Sequence, residues 1–268
     1  MPLFTKKFLL SASALTVLAV GVSQPLRADT SNRSDNAAPN GYLIIPAPPA
    51  PKTEALRRDQ QIFNETRKWK GSPRWELATV DDDFSLPAVI NDFSCALGLR
   101  LDLTKTPKLN KLMNDVIAIE QPRTDAVKER WARVRPYVGH DEAPLCIKDR
   151  ATKDHNRSYP SGHTVRGNIV AFVLSVIMPE RAEEILARGR IYGESRIVCG
   201  AHWSTDVVAG YSLAAGLAPA ILSRPEIQAQ IPAVREELLA LKQRLNAPEQ
   251  RVCELEKTGN AVSPFRVP

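Results

Sequence analysis

The sequence predicts an all-α helical bundle forming one domain, and three observations predict it. No stretch alternates apolar and polar residues over the length of a strand, several segments carry apolar stripes at helical period, and the connections between them are short and carry proline. The chain has 268 residues, 43% of them hydrophobic, enough for one sizeable core.

Residues 1–28 read as a secretory signal. Lys6 and Lys7 precede a mostly apolar run over 8–22, and small residues offer a cleavage point after Ala28. The run is too short and too rich in serine for a membrane span, and no later stretch is expected to cross a bilayer. Cleavage removes Lys6, Lys7 and Arg27 and no acid, so the net charge falls from +6 to +3. That balance suits anionic small molecules and is too weak and dispersed for nucleic acid. Residues 29–52, polar and then proline-rich (Pro46, Pro48, Pro49, Pro51), read as an extended leader before a domain over 53–268.

Helices are expected over 53–70 and 86–99. Across 109–135, Val127, Trp131 and Val134 fall at i, i+4 and i+7. The segment 164–178 is strongly apolar and stops at Pro179. In 179–196, Ile185, Gly189 and Gly193 share one side, where small residues let another helix approach. Ser204 is expected to cap a helix reaching 222. Residues 232–245 place Val234, Leu238, Leu241 and Leu245 on one amphipathic face. Cys95, Cys146, Cys199 and Cys253 allow three full disulfide pairings, or buried free thiols. None stands in a C-x2-C pair, so no zinc site is expected.

Three segments carry chemistry. In Lys128-x6-Arg135-Pro136 the two cations are seven residues apart, which puts them on one helical face. Pro136 is expected to end that helix and leave the Arg135 fork at its terminus, able to reach an anion. Pro160-Ser161-Gly162-His163 precedes the apolar helix, where unpaired N–H groups make an anion site and Gly162 permits close backbone approach. His163 then lies beside the anion, ready for proton transfer. In Ser195-Arg196-x5-His202-x3-Asp206 a further guanidinium joins a histidine with an acid four residues on. Asp206 is expected to accept the Nδ1–H of His202 and leave Nε2 bare as a nucleophile. Each segment alone suits a solvated face or an ordinary turn; the ordered set points to phosphate transfer.

These segments resemble the signature of the type 2 phosphatidic-acid-phosphatase superfamily, which also contains vanadium haloperoxidases. Ser158-Tyr159-Pro160-Ser161-Gly162-His163-Thr164 and Ser195-Arg196-Ile197-Val198-Cys199-Gly200-Ala201-His202-Trp203 are similar to the segments of its bacterial class A non-specific acid phosphatases. One departure is Arg157, where that family usually has glycine. The resemblance implies an all-helical, secreted or periplasmic acid phosphatase with no metal or other cofactor. It implies that His202 attacks phosphorus, Asp206 orients it, and His163 serves as acid and then base. Lys128, Arg135, Arg196, Ser161 and Gly162 would hold the phosphate oxygens.

A neutral His202 and a protonated His163 are required together, so an acidic optimum is expected from an ordinary histidine pKa of about 6.5. The expected partners are small phosphate esters, with no nucleic acid, no stable membrane insertion after signal cleavage, and room for a homo-oligomer. Alternatives on the same scaffold are a nucleoside di- or triphosphate hydrolase, a vanadium haloperoxidase, or a non-catalytic anion-binding protein. Trp203, Tyr159 and Arg157 are candidates for the pocket rim.

Overall fold

A computed structural model describes residues 41–148, 154–243 and 247–267 of the chain. The expected signal peptide and the leader as far as residue 40 lie outside the described residues. Among those described there are helices and no strands.

In chain order the helices are α1 (Glu54–Arg67), α2 (Pro73–Val80), α3 (Leu86–Asn91), α4 (Ser94–Leu97), α5 (Pro107–Trp131) and α6 (Gly162–Ile177). They continue with α7 (Ala182–Val198), α8 (Ser204–Leu222), α9 (Pro225–Gln228), α10 (Ile231–Gln243) and α11 (Gln250–Ala261). Thr53 and Ser72 cap α1 and α2 by accepting the N–H of Leu56 and Trp75. The expected helix over 86–99 is two short ones, parted at Asp92 and Phe93, and α4 ends on left-handed Gly98.

At the centre, α6 packs along α7 and α8. Val165, Ile169, Val170, Val173, Leu174 and Ile177 of α6 are buried against Ile185 and Tyr192 of α7 and Leu213 and Leu217 of α8. The helices approach closely because glycines line the seams, as the spacing of Gly189 and Gly193 predicts. A Cβ on Gly189 would lie 2.7 Å from the Ala171 Cβ, and one on Gly193 2.8 Å from Thr164 Cγ2. The described end of the leader lies on this body: Gly41 and Ile45 are buried, and Ile44 fills the space over Gly216.

Contrary to expectation, one described helix, α8, is long and apolar enough to cross a membrane by length and composition. It is used as a core helix: half of it is buried, and its first turn carries the buried Asp206. Disulfides join Cys95 to Cys253 and Cys146 to Cys199. The first ties α4 to α11. The second ties the C-terminal end of α7 to the loop that follows Tyr137.

Antiparallel packing brings one end of each long helix to the same place. The last turns of α5 and α7 and the first turns of α6 and α8 converge, and all three predicted segments lie there.

Candidate active site

Lys128 stands in the last turn of α5, buried, with Nζ donating to the carbonyls of Arg157 (2.8 Å) and Pro160 (2.5 Å). Burial, with the Arg135 guanidinium beside it, pulls its pKa down to about 7.

Arg135 is not on that helix. Expected to run to Arg135, α5 stops at Trp131, where Ala132 takes a left-handed conformation (φ 42°) and returns its N–H to Lys128. The following residues pair with another segment instead: Ser158 donates to the Arg133 carbonyl, and Arg135 N–H donates to that of His155. Tertiary pairing overrides helix propensity there, so Lys128 and Arg135 reach one point from different backbones rather than from one face. The Arg135 guanidinium donates to the carbonyls of Asp154, Arg157 and Ala201, and its Nη1 is 3.0 Å from His202 Nε2.

Ser161 caps α6, accepting the Thr164 N–H, and its own N–H donates to the Asp206 carbonyl. Gly162 is the first helical residue, one of the positions whose N–H has no partner within the helix. A Cβ there would meet Lys128 Cε at 3.4 Å, so glycine brings the backbone against the lysine tip. His163 stacks on Phe84 with ring centroids 4.3 Å apart. Its Nε2 lies 3.2 Å from the Asp82 carbonyl, which can only accept, so Nε2 carries a proton.

Arg196, in the last turn of α7, is 1% exposed. Asp82 accepts from its Nη2 at 2.7 Å, while Nε and Nη1 have no hydrogen-bond partner among the described residues.

His202 follows the left-handed turn at Gly200, and 3% of it is exposed. Its tautomer follows from its partners. A guanidinium only donates, so Nε2 facing Arg135 is the bare nitrogen; Nδ1–H donates to the Ser158 carbonyl at 2.8 Å. The expected Nδ1–H···Asp206 bond is therefore corrected: Asp206 Oδ2 lies 3.5 Å away, and the carbonyl is the acceptor. The reason is that His202 precedes α8, so i, i+4 spacing does not place it over Asp206 on one helical face. Asp206 instead organises the surroundings. It accepts from Ser158 Oγ (2.6 Å), from the Trp203 N–H (2.8 Å) and from Arg133 (2.6 Å). Trp203, not Ser204, is the cap of α8, and the Ser204 hydroxyl binds Asp59. Burial, then the cations Arg135, Lys128 and Arg196, hold the His202 pKa well below the usual range, with the Ser158 bond opposing them.

The cavity between these groups has a volume of about 220 Å³. Lys128, Arg135, Gly162, His163 and His202 line it; Phe84, Glu120, Gln121, Thr124 and Arg157 complete much of the wall. Of the rim candidates Arg157 lines it, tied to Asp125 and Glu129. Trp203 and Tyr159 turn away, donating to the carbonyls of Val134 and Pro46. A larger groove of about 460 Å³, lined by Phe172, Val208, Tyr211 and Phe265 among others, holds none of the predicted residues.

Three supporting residues have no place in the sequence reading. Arg133, whose side chain is 9% exposed, bridges Asp206 and Asp59. Ser158 supplies the carbonyl for His202, and Asp82 holds both Arg196 and His163. The only hint in the sequence is that Arg133 and Arg135 alternate before a proline, as in extended backbone.

A family model described as the PAP2 superfamily matches residues 113–227, the stretch that carries all three segments. An acid phosphatase of Zymomonas mobilis subsp. mobilis is 37% identical over 247 residues, covering 90% of this chain and 93% of the relative. The chain belongs to the PAP2 superfamily. Other relatives include a non-specific acid phosphatase of Salmonella typhimurium, 35% identical over 74% of this chain and 80% of its own. Another, from Providencia stuartii, is 32% identical over 87% of this chain and 94% of its own. The PAP2 fold accounts for the all-α architecture.

Proposed function

We propose that the chain is an exported acid phosphatase that hydrolyses phosphate monoesters through a phosphohistidine on His202, without a metal ion. One observation carries this reading: the His202 ring is held by its Nδ1–H on a carbonyl, with bare Nε2 facing a cluster of cations. Pure anion binding needs the cations but not a bare imidazole. The likeness to proteins named acid phosphatase supports it.

In this mechanism the phosphate oxygens accept from Lys128, Arg135, Arg196, Ser161 and the Gly162 amide at the start of α6. They draw Arg135 from the ring, and Nε2 attacks phosphorus. The P–O bond to the alcohol breaks, and His163 gives the departing oxygen its proton. His163 then takes a proton from water, whose oxygen attacks the phosphohistidine, releasing inorganic phosphate and His202. The Asp206 carboxylate, 3.5 Å from Nδ1, favours the cationic ring formed on the way. Three fixed cations supply the charge that a metal would otherwise bring. Residues 1–28 act as signal and 29–52 as leader to a domain over 53–268, in a periplasmic or secreted protein. Two disulfides fit an oxidising compartment.

Rapid-quench labelling with a radioactive phosphate ester tests the covalent step. Acid-labile, base-stable label is expected on the native protein and none on His202→Ala; absence of label under every condition sinks it. Turnover is expected to persist in excess chelator, and its loss would refute metal independence.

A further inference from the structure

The cavity does not end at the phosphate cations. On α5, Thr124 lies one turn before Lys128 and Glu120 two turns before, about 12 Å along the axis. On α6, Arg166 lies one turn beyond His163. Since α5 packs against α6, Glu120 and Thr124 continue the cavity wall along the seam, and Arg166 stands behind Glu120.

Glu120 is 1% exposed and lines the cavity, and burial raises its carboxyl pKa above the usual range. Thr124 Oγ donates to its Oε1. Its Oε2 faces Arg166 Nε at 3.6 Å, beyond hydrogen-bonding distance, and neither atom has a hydrogen-bond partner among the described residues. The rest of the Arg166 guanidinium is occupied: it donates to Gln121 and lies over the Phe84 ring. An acceptor and a donor, side by side, buried and unsatisfied, are what one hydroxyl satisfies, because it donates and accepts at once.

The geometry points to a leaving-group subsite formed by Glu120, Arg166 and Thr124 that takes a hydroxyl of a phosphorylated sugar or other polyol. This rests on the phosphatase reading above. A phosphorylated polyol, anchored at Lys128 and Arg196, extends its chain of hydroxyls along the seam. An aryl ester brings neither a donor nor an acceptor to that place.

The test compares kcat/KM for glucose 6-phosphate and phenyl phosphate in the wild type, Glu120→Met/Arg166→Met and Thr124→Val. The double variant replaces the buried ion pair by side chains of similar volume, a change that interiors tolerate. The sugar-to-aryl ratio is expected to fall about tenfold or more in the double variant, through KM for the sugar phosphate, and by a smaller factor in Thr124→Val. An unchanged ratio, or an equal loss on both esters, overturns the subsite. Should the double variant fail to fold, Thr124→Val decides alone by the same ratio. A wild type inactive on both esters would instead overturn the phosphatase reading.

Discussion

Lys128 carries its charge where charge is costly: buried, next to arginine, with only carbonyl oxygens as partners. Its proton is held below a pKa of about 7 and released above it. In the proposed mechanism the lysine clamps phosphate only on the acidic side, and kcat/KM, which reports the free enzyme, is expected to fall as pH rises through that value. Lys128→Arg keeps its charge at every working pH, so the alkaline limb should move upward. A pH–rate profile checks this, and a limb that stays put would place the titration elsewhere. His202 acts in the same direction, since a depressed pKa keeps its ring neutral through the acidic range. Arg133 acts at one remove. Arg133→Met leaves Asp206 and Asp59 buried and unpaired, and a loss of about 3–5 kcal/mol is expected in thermal melting. Because Arg133 does not line the cavity, kcat should fall while KM holds. A change in KM alone would argue for direct phosphate contact. The residues proposed to act on phosphate were legible as an ordered pattern of cations and histidines. Those that hold them were not: Arg133, Ser158 and Asp82 act through contacts between distant segments, and no spacing in the chain announces them.

At the scale of the element, the legible helices were α1 and those with a stripe of apolar or small residues: α5, α6, α7, α8 and α10. Three others were missed for physical reasons. The helices α2 and α9 are too short to display a period, and α11 is mostly polar, burying only Leu255, Glu256 and Gly259. The end of α5 was misplaced because its stop is set by pairing with residues 155–158, not by Pro136. The glycine seams are testable. Gly193→Ala would set a methyl 2.7 Å from the Tyr211 hydroxyl and 2.8 Å from Thr164, at the first turn of α6. Overpacking of this kind costs about 1–3 kcal/mol. Thermal melting should show the loss, and turnover should fall with it because Thr164 follows His163. An unchanged melting temperature would mean that the seam opens without cost.

At the scale of the molecule, the Cys95–Cys253 disulfide joins residues 158 apart in sequence, clamping α11 to α4. Replacing both by serine should lower stability by about 2–5 kcal/mol while kcat of the folded protein stays unchanged. A fall in kcat would show that α11 steers the site. Cysteine count alone left the pairing open, because three arrangements satisfy it and only tertiary distance chooses. The convergence of four helix ends has a different consequence. The proposed phosphate contacts come from the end of α5, the loop at Arg135, the start of α6 and the end of α7, so no single segment holds the whole site. Turnover is therefore expected to fall on heating before the helical signal does, because a slight loosening separates the cations while each helix persists.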